Sequence, residues 1–417
     1  MKLEVNLKEP TKKLNALKSK YEQSVKKYRK NVDNESERFF KMLAMGNKER
    51  YHSELEAIYL RSLEALKMFE AKYPNTVTIN GESASIEVPD DLAAIQFLAS
   101  CENRLSVRFK SARLSPSLKM NLPLKDGIHQ PWVEQKTTTA FMVCNPKGYI
   151  LNDTRTGKTL ASIHAVEALI QLGEIDCALL VTTLSGAVKT YPDELKSLGL
   201  YEQSSFIVGD AKTRFNAAQV KARYYVANHD AIKTAYAEIE TLLRTKRIAV
   251  IIDEVTAMGN ISADITKKAI KLFKNTKYLW GMTGTPDNPM KVFSFTKLIN
   301  PMFNTYTKGT FEDLCYSVYG NIRKLKHEDI WQGFCEDIMR PSIRIPRRDI
   351  LGDTVKIMEE VPLPDELSKM YNSFMKDSII ALTDRTLVAS EGGALRIKLL
   401  QLANGTLAGL DETGEDI

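Results

Sequence analysis

Six short apolar runs, at 148–151, 177–181, 205–208, 224–227, 248–252 and 278–282, alternate with stretches of helical character. Runs without polar alternation are the signature of strands buried on both faces, and strand-helix alternation requires a parallel sheet covered by helices. The region therefore reads as a doubly wound α/β domain.

The first run leads into Ile150-Leu151-Asn152-Asp153-Thr154-Arg155-Thr156-Gly157-Lys158-Thr159, followed by a helix-like segment at 160–172. A strand feeding a turn that opens a helix aims backbone N–H groups at one point and adds the helix's positive end, which suits a polyphosphate. A complete phosphate-loop motif would place glycine at position 152, where Asn152 stands, so the Gly-Lys-Thr triplet depends on its company.

That company begins with Arg247-Ile248-Ala249-Val250-Ile251-Ile252-Asp253-Glu254, an apolar strand ending in two carboxylates. Nucleoside-triphosphate chemistry needs one carboxylate near the Mg²⁺ shell and another to orient or deprotonate water. Strand carboxyl ends are where open α/β sheets bind ligands. A third element, Trp280-Gly281-Met282-Thr283-Gly284-Thr285-Pro286, also ends an apolar run; its hydroxyls and flexible glycine could link the carboxylate pair to a neighbouring surface, or form a plain polar turn.

Taken in order, Asp153 to Thr159, Asp253-Glu254-Val255-Thr256 and Thr283-Gly284-Thr285-Pro286 resemble motifs I, II and III of superfamily-2 helicases, most closely the Swi/Snf-like DNA translocases and their phage-encoded relatives. Pro131-Trp132-Val133-Glu134-Gln135 lies where that family has a glutamine that reads adenine. Thr183-Leu184-Ser185, continuing to Tyr191 and Glu194, is similar to motif Ia, with threonine and tyrosine where proline and tryptophan are usual. Val226-Ala227-Asn228-His229-Asp230 is similar to motif Ib.

The resemblance implies a RecA-like P-loop domain with a parallel sheet and an ATP-dependent DNA helicase or translocase activity. It implies that Gln135 and the loop Asp153, Thr154, Arg155, Thr156, Gly157, Lys158 and Thr159 bind ATP, with Lys158 on the β- and γ-phosphates. Thr159 and Asp253 would hold Mg²⁺, Glu254 would position water, and Thr283, Gly284 and Thr285 would couple the site to its surroundings. Ser185, Lys189 and Asn228 become candidate contacts to the DNA backbone. Two departures stand out: Arg155 replaces a glycine common in this branch, and Thr256 stands where many relatives carry histidine.

The family works with two RecA-like lobes, the second supplying arginine fingers. Arg344-Ile345-Pro346-Arg347-Arg348-Asp349-Ile350-Leu351-Gly352-Asp353 resembles the connector towards a second lobe, 359–364 with Tyr371 the segment before its first helices, and 395–405 a later helix. No second lobe follows, so the expectation is an incomplete N-terminal half whose partner lobe lies in the same or another polypeptide, binding ATP with weak turnover.

Ahead of the α/β region, apolar residues recur every three or four positions from 11 to 73, including Leu14, Leu17, Tyr21, Val25, Leu55, Tyr59, Leu63, Leu66 and Phe69, as in amphipathic helices that could pair as a hairpin. Asn80-Gly81, a favoured type I′ dipeptide, predicts a β-hairpin over 76–88, and a further helix runs to 104. With 115–123 as linker, the expected domains are a mainly helical N-terminal unit with the hairpin (1–120), the ATP-binding lobe (121–345) and the connector (346–417).

At 417 residues, 43% apolar and 26% charged, the chain has material for two or three structural units. No run approaches the roughly 20 apolar residues of a membrane span, the start is not that of a signal peptide, and the five cysteines are scattered without a Cys-x-x-Cys pair. A cytoplasmic protein with reduced thiols and no zinc is expected. Lys8, Lys12, Lys13, Lys18, Lys20, Lys26, Lys27, Arg29 and Lys30 crowd the first thirty residues, as a solvated helix face or a phosphate-contacting one. Two other function classes remain open: a nucleic-acid-binding or partner-docking module with a switch-like or vestigial nucleotide site, and a P-loop phosphoryl transferase, which would need a lid and acceptor pocket.

Overall fold

The computed structural model describes residues 1–9, 14–15, 18–19, 22–23, 34–118, 131–284, 286–320, 322–347, 350, 362–377, 379–381, 386–388, 399–401 and 403. Most of the basic N-terminal run, the expected boundary near 120, Thr285, 359–361 and most of 395–405 lie outside these residues. The chain divides into two compact units, Met1–Gly352 and Asp353–Ile417. In the second, the helix Asp365–Asp377, which contains Tyr371, precedes an antiparallel pair, β13 (Ile379–Ala381) and β14 (Thr386–Val388).

The first unit is built on a seven-stranded, all-parallel sheet. Its strands are β4 (Lys147–Ile150), β5 (Cys177–Thr182), β6 (Ser204–Ile207), β7 (Tyr224–Asn228), β8 (Ile248–Asp253), β9 (Tyr278–Met282) and β12 (Ser342–Ile343), in the order β12-β4-β9-β8-β5-β7-β6. This is the expected RecA-like α/β fold, and all six apolar runs are strands within a residue of their expected limits. The seventh, β12, went unread.

The apolar runs follow from two cores lying on opposite faces. Along β8, Ile248, Val250 and Ile252 enter one core while Ala249 and Ile251 enter the other; along β5, Cys177, Leu179 and Val181 part from Ala178 and Leu180 in the same way. Side chains alternate across a strand, so covering both faces demands apolar residues at every position. The helix Lys158–Gln171 supplies Ile163, Val166 and Leu169 to one face, and the helix Pro289–Ile299 supplies Val292, Phe295 and Ile299 to the other.

Before this sheet, the helix Asn34–Lys72 runs unbroken for 39 residues and carries Leu55, Tyr59, Leu63, Leu66 and Phe69; most of the earlier stretch with Leu17, Tyr21 and Val25 lies outside the described residues. Leu66 and Phe69 pack with Ile95 and Leu98 of the helix Leu92–Leu105, whose N-cap Asp91 accepts from Ala93 N at 2.9 Å. The expected hairpin is present as β2 (Val77–Asn80) and β3 (Ser83–Glu87), but β1 (Lys2–Asn6) adds a third strand on its far edge. Its turn also differs. Asn80 pairs with Ser83, which leaves Gly81 and Glu82 as the loop, and only Gly81 has positive φ (+62°), the pattern of a type II′ turn. The expected linker at 115–123 opens on a buried Ser115 and a 3₁₀ turn, Pro116–Leu118, just after another at Ser111–Leu114; residues 119–123 lie outside the described residues.

A second hairpin, β10 (Tyr316–Tyr319) with β11 (Ile322–Leu325), was not expected. Among the described residues no helix is long and apolar enough to cross a membrane.

Candidate functional site

The strand register brings the chemistry together. Ile150 pairs with Met282 and Met282 with Asp253, so β4, β9 and β8 end at one level; Thr182 of β5 pairs with Asn228 of β7 beside them. The loop after β4 (expected to bind phosphate), the carboxylate pair and the Thr283-Gly284 turn therefore leave the same end of the sheet, at the carboxyl ends of its strands.

In the loop, Gly157 is the residue before the helix Lys158–Gln171 and takes φ +75°. It lies so close to Gln135 that a Cβ there would be 2.0 Å from Gln135 Nε2. Gln135 is buried, and its Oε1 accepts from Trp132 N at 2.8 Å, capping the helix Val133–Cys144. The glutamine is thus packed on the loop itself. Arg155, exposed, adopts φ +64°. That conformation is natural for the glycine it replaces and costs an ordinary residue roughly 1 kcal/mol. Thr154 is exposed, while Thr156 is buried and donates to Asp153 O at 2.7 Å.

Lys158 reaches back over the loop, its Nζ donating to Asn152 O at 2.9 Å and Asp153 O at 3.1 Å. Burial pulls its pKa down, and the carboxylates of Asp253, Glu254 and Asp153 pull it back up. A half-buried ammonium in a turn at a helix start, with three carboxylates in its field, can exchange its two carbonyl partners for phosphate oxygens.

Asp253 ends β8, accepting from Thr182 Oγ1 at 3.3 Å and from Glu254 N at 3.1 Å. Burial first, and then the Glu254 carboxylate, push its pKa up. Glu254 is exposed and held at φ +48°, ψ +53°, a left-handed conformation that persists in a non-glycine residue only where the surroundings impose it. Behind the pair, His229 Nε2 lies 2.8 Å from Asp253 O, and the buried Tyr191 hydroxyl faces Asp253 and Ser162. Sequence reasoning assigned neither residue a part in the site. Tyr191 carried a signal, since it stands at the aromatic position of the motif Ia-like segment.

The third element closes on the first. Thr283 is buried and its N–H donates to Ile150 O at 3.0 Å; a Cβ on Gly284 would lie 3.3 Å from Thr154 Cγ2 and 3.4 Å from Thr154 N. At the same end, Ser185 and Lys189 are exposed around the turn Gly186–Thr190, and Ser185 Oγ sits 3.1 Å from Thr183 Oγ1. Asn228 ends β7, and the following His229 N donates to Thr182 O at 2.8 Å. The structure packs Gln135 on Gly157 and Gly284 on Thr154, and sets Ser185, Lys189 and Asn228 along the neighbouring strand ends.

Among the described residues no group of three or more His, Cys, Asp or Glu side chains could cage a metal. The Thr159 hydroxyl and the Asp253 carboxylate suit a different kind of ion, one that keeps several waters and takes its remaining oxygens from phosphates, as magnesium does.

The helix carrying Lys158 also bears a buried His164 whose Nε2 lacks a hydrogen-bond partner and whose pKa burial pulls down to about 4, against the Glu167 carboxylate. Glu167 itself is held by Arg223 (Nε to Oε1, 2.8 Å) and the Tyr224 hydroxyl. An unfolded chain protonates histidine near pH 6.5, whereas the folded chain resists until about 4. Stability present above pH 6.5 is therefore lost as pH falls, at a slope of up to about 1.4 kcal/mol per pH unit. Urea midpoints measured at pH 7 and pH 5 should converge in His164→Gln relative to the parent; equal pH dependence in both proteins would refute this.

The family model for the type III restriction enzyme res subunit matches residues 129–288. No curated protein matches the chain. The Sulfolobus solfataricus SWI2/SNF2 ATPase core in complex with dsDNA aligns at 18% identity and a TM-score of 0.42, over 68% of this chain and 60% of that one. The UvsW helicase from Bacteriophage T4 aligns at 13% identity and a TM-score of 0.34, over 43% and 62%. The chain thus spans 60% and 62% of the length of these two structures. The matched family segment begins just ahead of the helix bearing Gln135 and ends just past the Gly284 turn, so residues 129–288 are similar to a superfamily-2 helicase-like domain.

Proposed function

We propose that this domain hydrolyses ATP with Mg²⁺ and couples the reaction to movement on double-stranded or branched DNA. The observation that carries the reading is the meeting of three loops at one end of the sheet: Lys158 lies in the field of Asp253 and Glu254, and Gly284 packs on Thr154 of the same phosphate loop.

In this reading the ammonium of Lys158 leaves the Asn152 and Asp153 carbonyls for the β- and γ-phosphates, and the N–H groups of 154–159 surround them. Gln135, buried against Gly157, sets the adenine end. Thr159 and Asp253 hold Mg²⁺, which when bound neutralises charge on the phosphates. Glu254, exposed at the strand end, orients water and takes its proton. Thr283 and Gly284, with Thr285, pass the state of the phosphate loop to the neighbouring surface. Ser185, Lys189 and Asn228 contact the DNA backbone, and residues 1–120 form an accessory unit.

ATP turnover of the chain, measured with and without duplex DNA, tests the reading. Weak, Mg²⁺-dependent turnover that duplex DNA stimulates is expected. Nucleotide binding that neither needs the loop nor responds to DNA would favour a docking module instead.

A further inference from the structure

Position 152 is where a complete phosphate-loop motif has glycine, and here it holds a buried asparagine with both ends of its side chain engaged. Asn152 Nδ2 donates to Thr138 Oγ1 at 2.9 Å, and Thr138 lies on the Gln135 helix. Asn152 Oδ1 accepts from Ile345 N at 2.9 Å. Next to it, Asp153 Oδ2 accepts from Arg347 N at 2.9 Å, and Asp153 N donates to Ile345 O at 3.1 Å.

These contacts continue a ladder. Tyr149 N donates to Pro341 O at 3.0 Å and Leu151 N to Ile343 O at 2.8 Å, so the chain on either side of β12 runs beside β4 and into the phosphate loop. Where strand pairing ends, the two side chains take up the next N–H groups of the neighbouring segment. The same two residues offer Lys158 its resting carbonyls. One dipeptide thus holds the ammonium through its carbonyls, and the segment 343–347 through its side chains and the Asp153 N–H.

We propose that Asn152 and Asp153 are positioning residues that tie the segment 343–347 to the phosphate loop, so that phosphate occupancy of the loop is transmitted to that segment. The inference rests on the nucleotide reading of the loop. When Lys158 exchanges its carbonyl partners for phosphate, the Asn152-Asp153 peptides lose the charge they face, and the side-chain bonds to Ile345 N and Arg347 N shift with them. Glycine at 152 would complete the usual loop motif and lose this connection.

Hydrogen exchange of the full chain, followed over 343–347 with and without Mg²⁺-ATPγS, tests the proposal, with fluorescent nucleotide binding measured in parallel. In the parent protein the nucleotide should change exchange over this segment. In Asn152→Gly, exchange there should rise about tenfold, from loss of a buried hydrogen bond, and should no longer respond to nucleotide. Asp153→Asn, which keeps an acceptor oxygen, should retain the response, whereas Asp153→Ala should lose it. A parent protein that binds nucleotide without any response over 343–347, or an Asn152→Gly that responds as the parent does, overturns the inference alone. A parent protein that binds no nucleotide overturns the reading of the site and the inference with it.

Discussion

Lys158→Ala should lower ATP turnover by about 10²- to 10³-fold, the range seen when one preorganised donor to a developing charge is removed. The geometry explains why no neighbour can substitute. The Lys158 ammonium is placed inside the turn by the start of its own helix, and it offsets Asp153, Asp253 and Glu254 at once. Without it those three carboxylates face an incoming polyphosphate unopposed, so nucleotide affinity should fall together with turnover. Lys158→Arg should do little better, because a planar guanidinium cannot reproduce a compact ammonium seated between the Asn152 and Asp153 carbonyls. Nucleotide titration and steady-state turnover check both variants, with thermal melting to show that the fold persists. An Ala variant that binds and hydrolyses ATP like the parent would remove Lys158 from the site.

The strands of this domain were legible because the physics that makes them is local: burial on both faces writes an apolar run into the sequence. Where an element owes its existence to a distant partner, the sequence carried little trace. β12 has two residues, too few to show a period, and exists because its neighbours continue a ladder with the chain around β4. β1 did show alternation, with Leu3 and Val5 buried between exposed Lys2, Glu4 and Asn6, but only over five residues.

The site divides in the same way. Lys158, Asp253 and Glu254 could be named because the chemistry restricts residue type at strand ends. Asn152 looked like a defect in the motif, since its Ile345 partner lies 193 positions downstream. Gln135 was read for what it would contact in a ligand, whereas its packing on Gly157 depends on how one helix crosses another loop. The Asn80-Gly81 dipeptide misled for a related reason: the register set by β1 and β2 on β3 moves the turn one residue along.

Glu254→Gln separates hydrolysis from binding, and turnover should fall by about 10²- to 10⁴-fold, the usual worth of a positioned general base. Glutamine keeps the size of the side chain and the backbone N–H that Asp253 Oδ1 accepts from, so the strained turn after β8 has the same support. It removes one negative charge from beside Asp253, and that charge is part of what holds the Asp253 pKa up. The relief of like-charge repulsion at Asp253 offsets the attraction for a cation that the lost charge supplied, and Thr159 and Asp253, the groups assigned to Mg²⁺, are unchanged. Affinity for Mg²⁺-nucleotide should accordingly stay close to the parent's while hydrolysis collapses, the opposite of the joint loss expected for Lys158→Ala. Single-turnover hydrolysis beside equilibrium nucleotide binding distinguishes the two patterns. Parallel losses of affinity and turnover in Glu254→Gln would show that the carboxylate serves binding, and would leave the proton of the attacking water to another group.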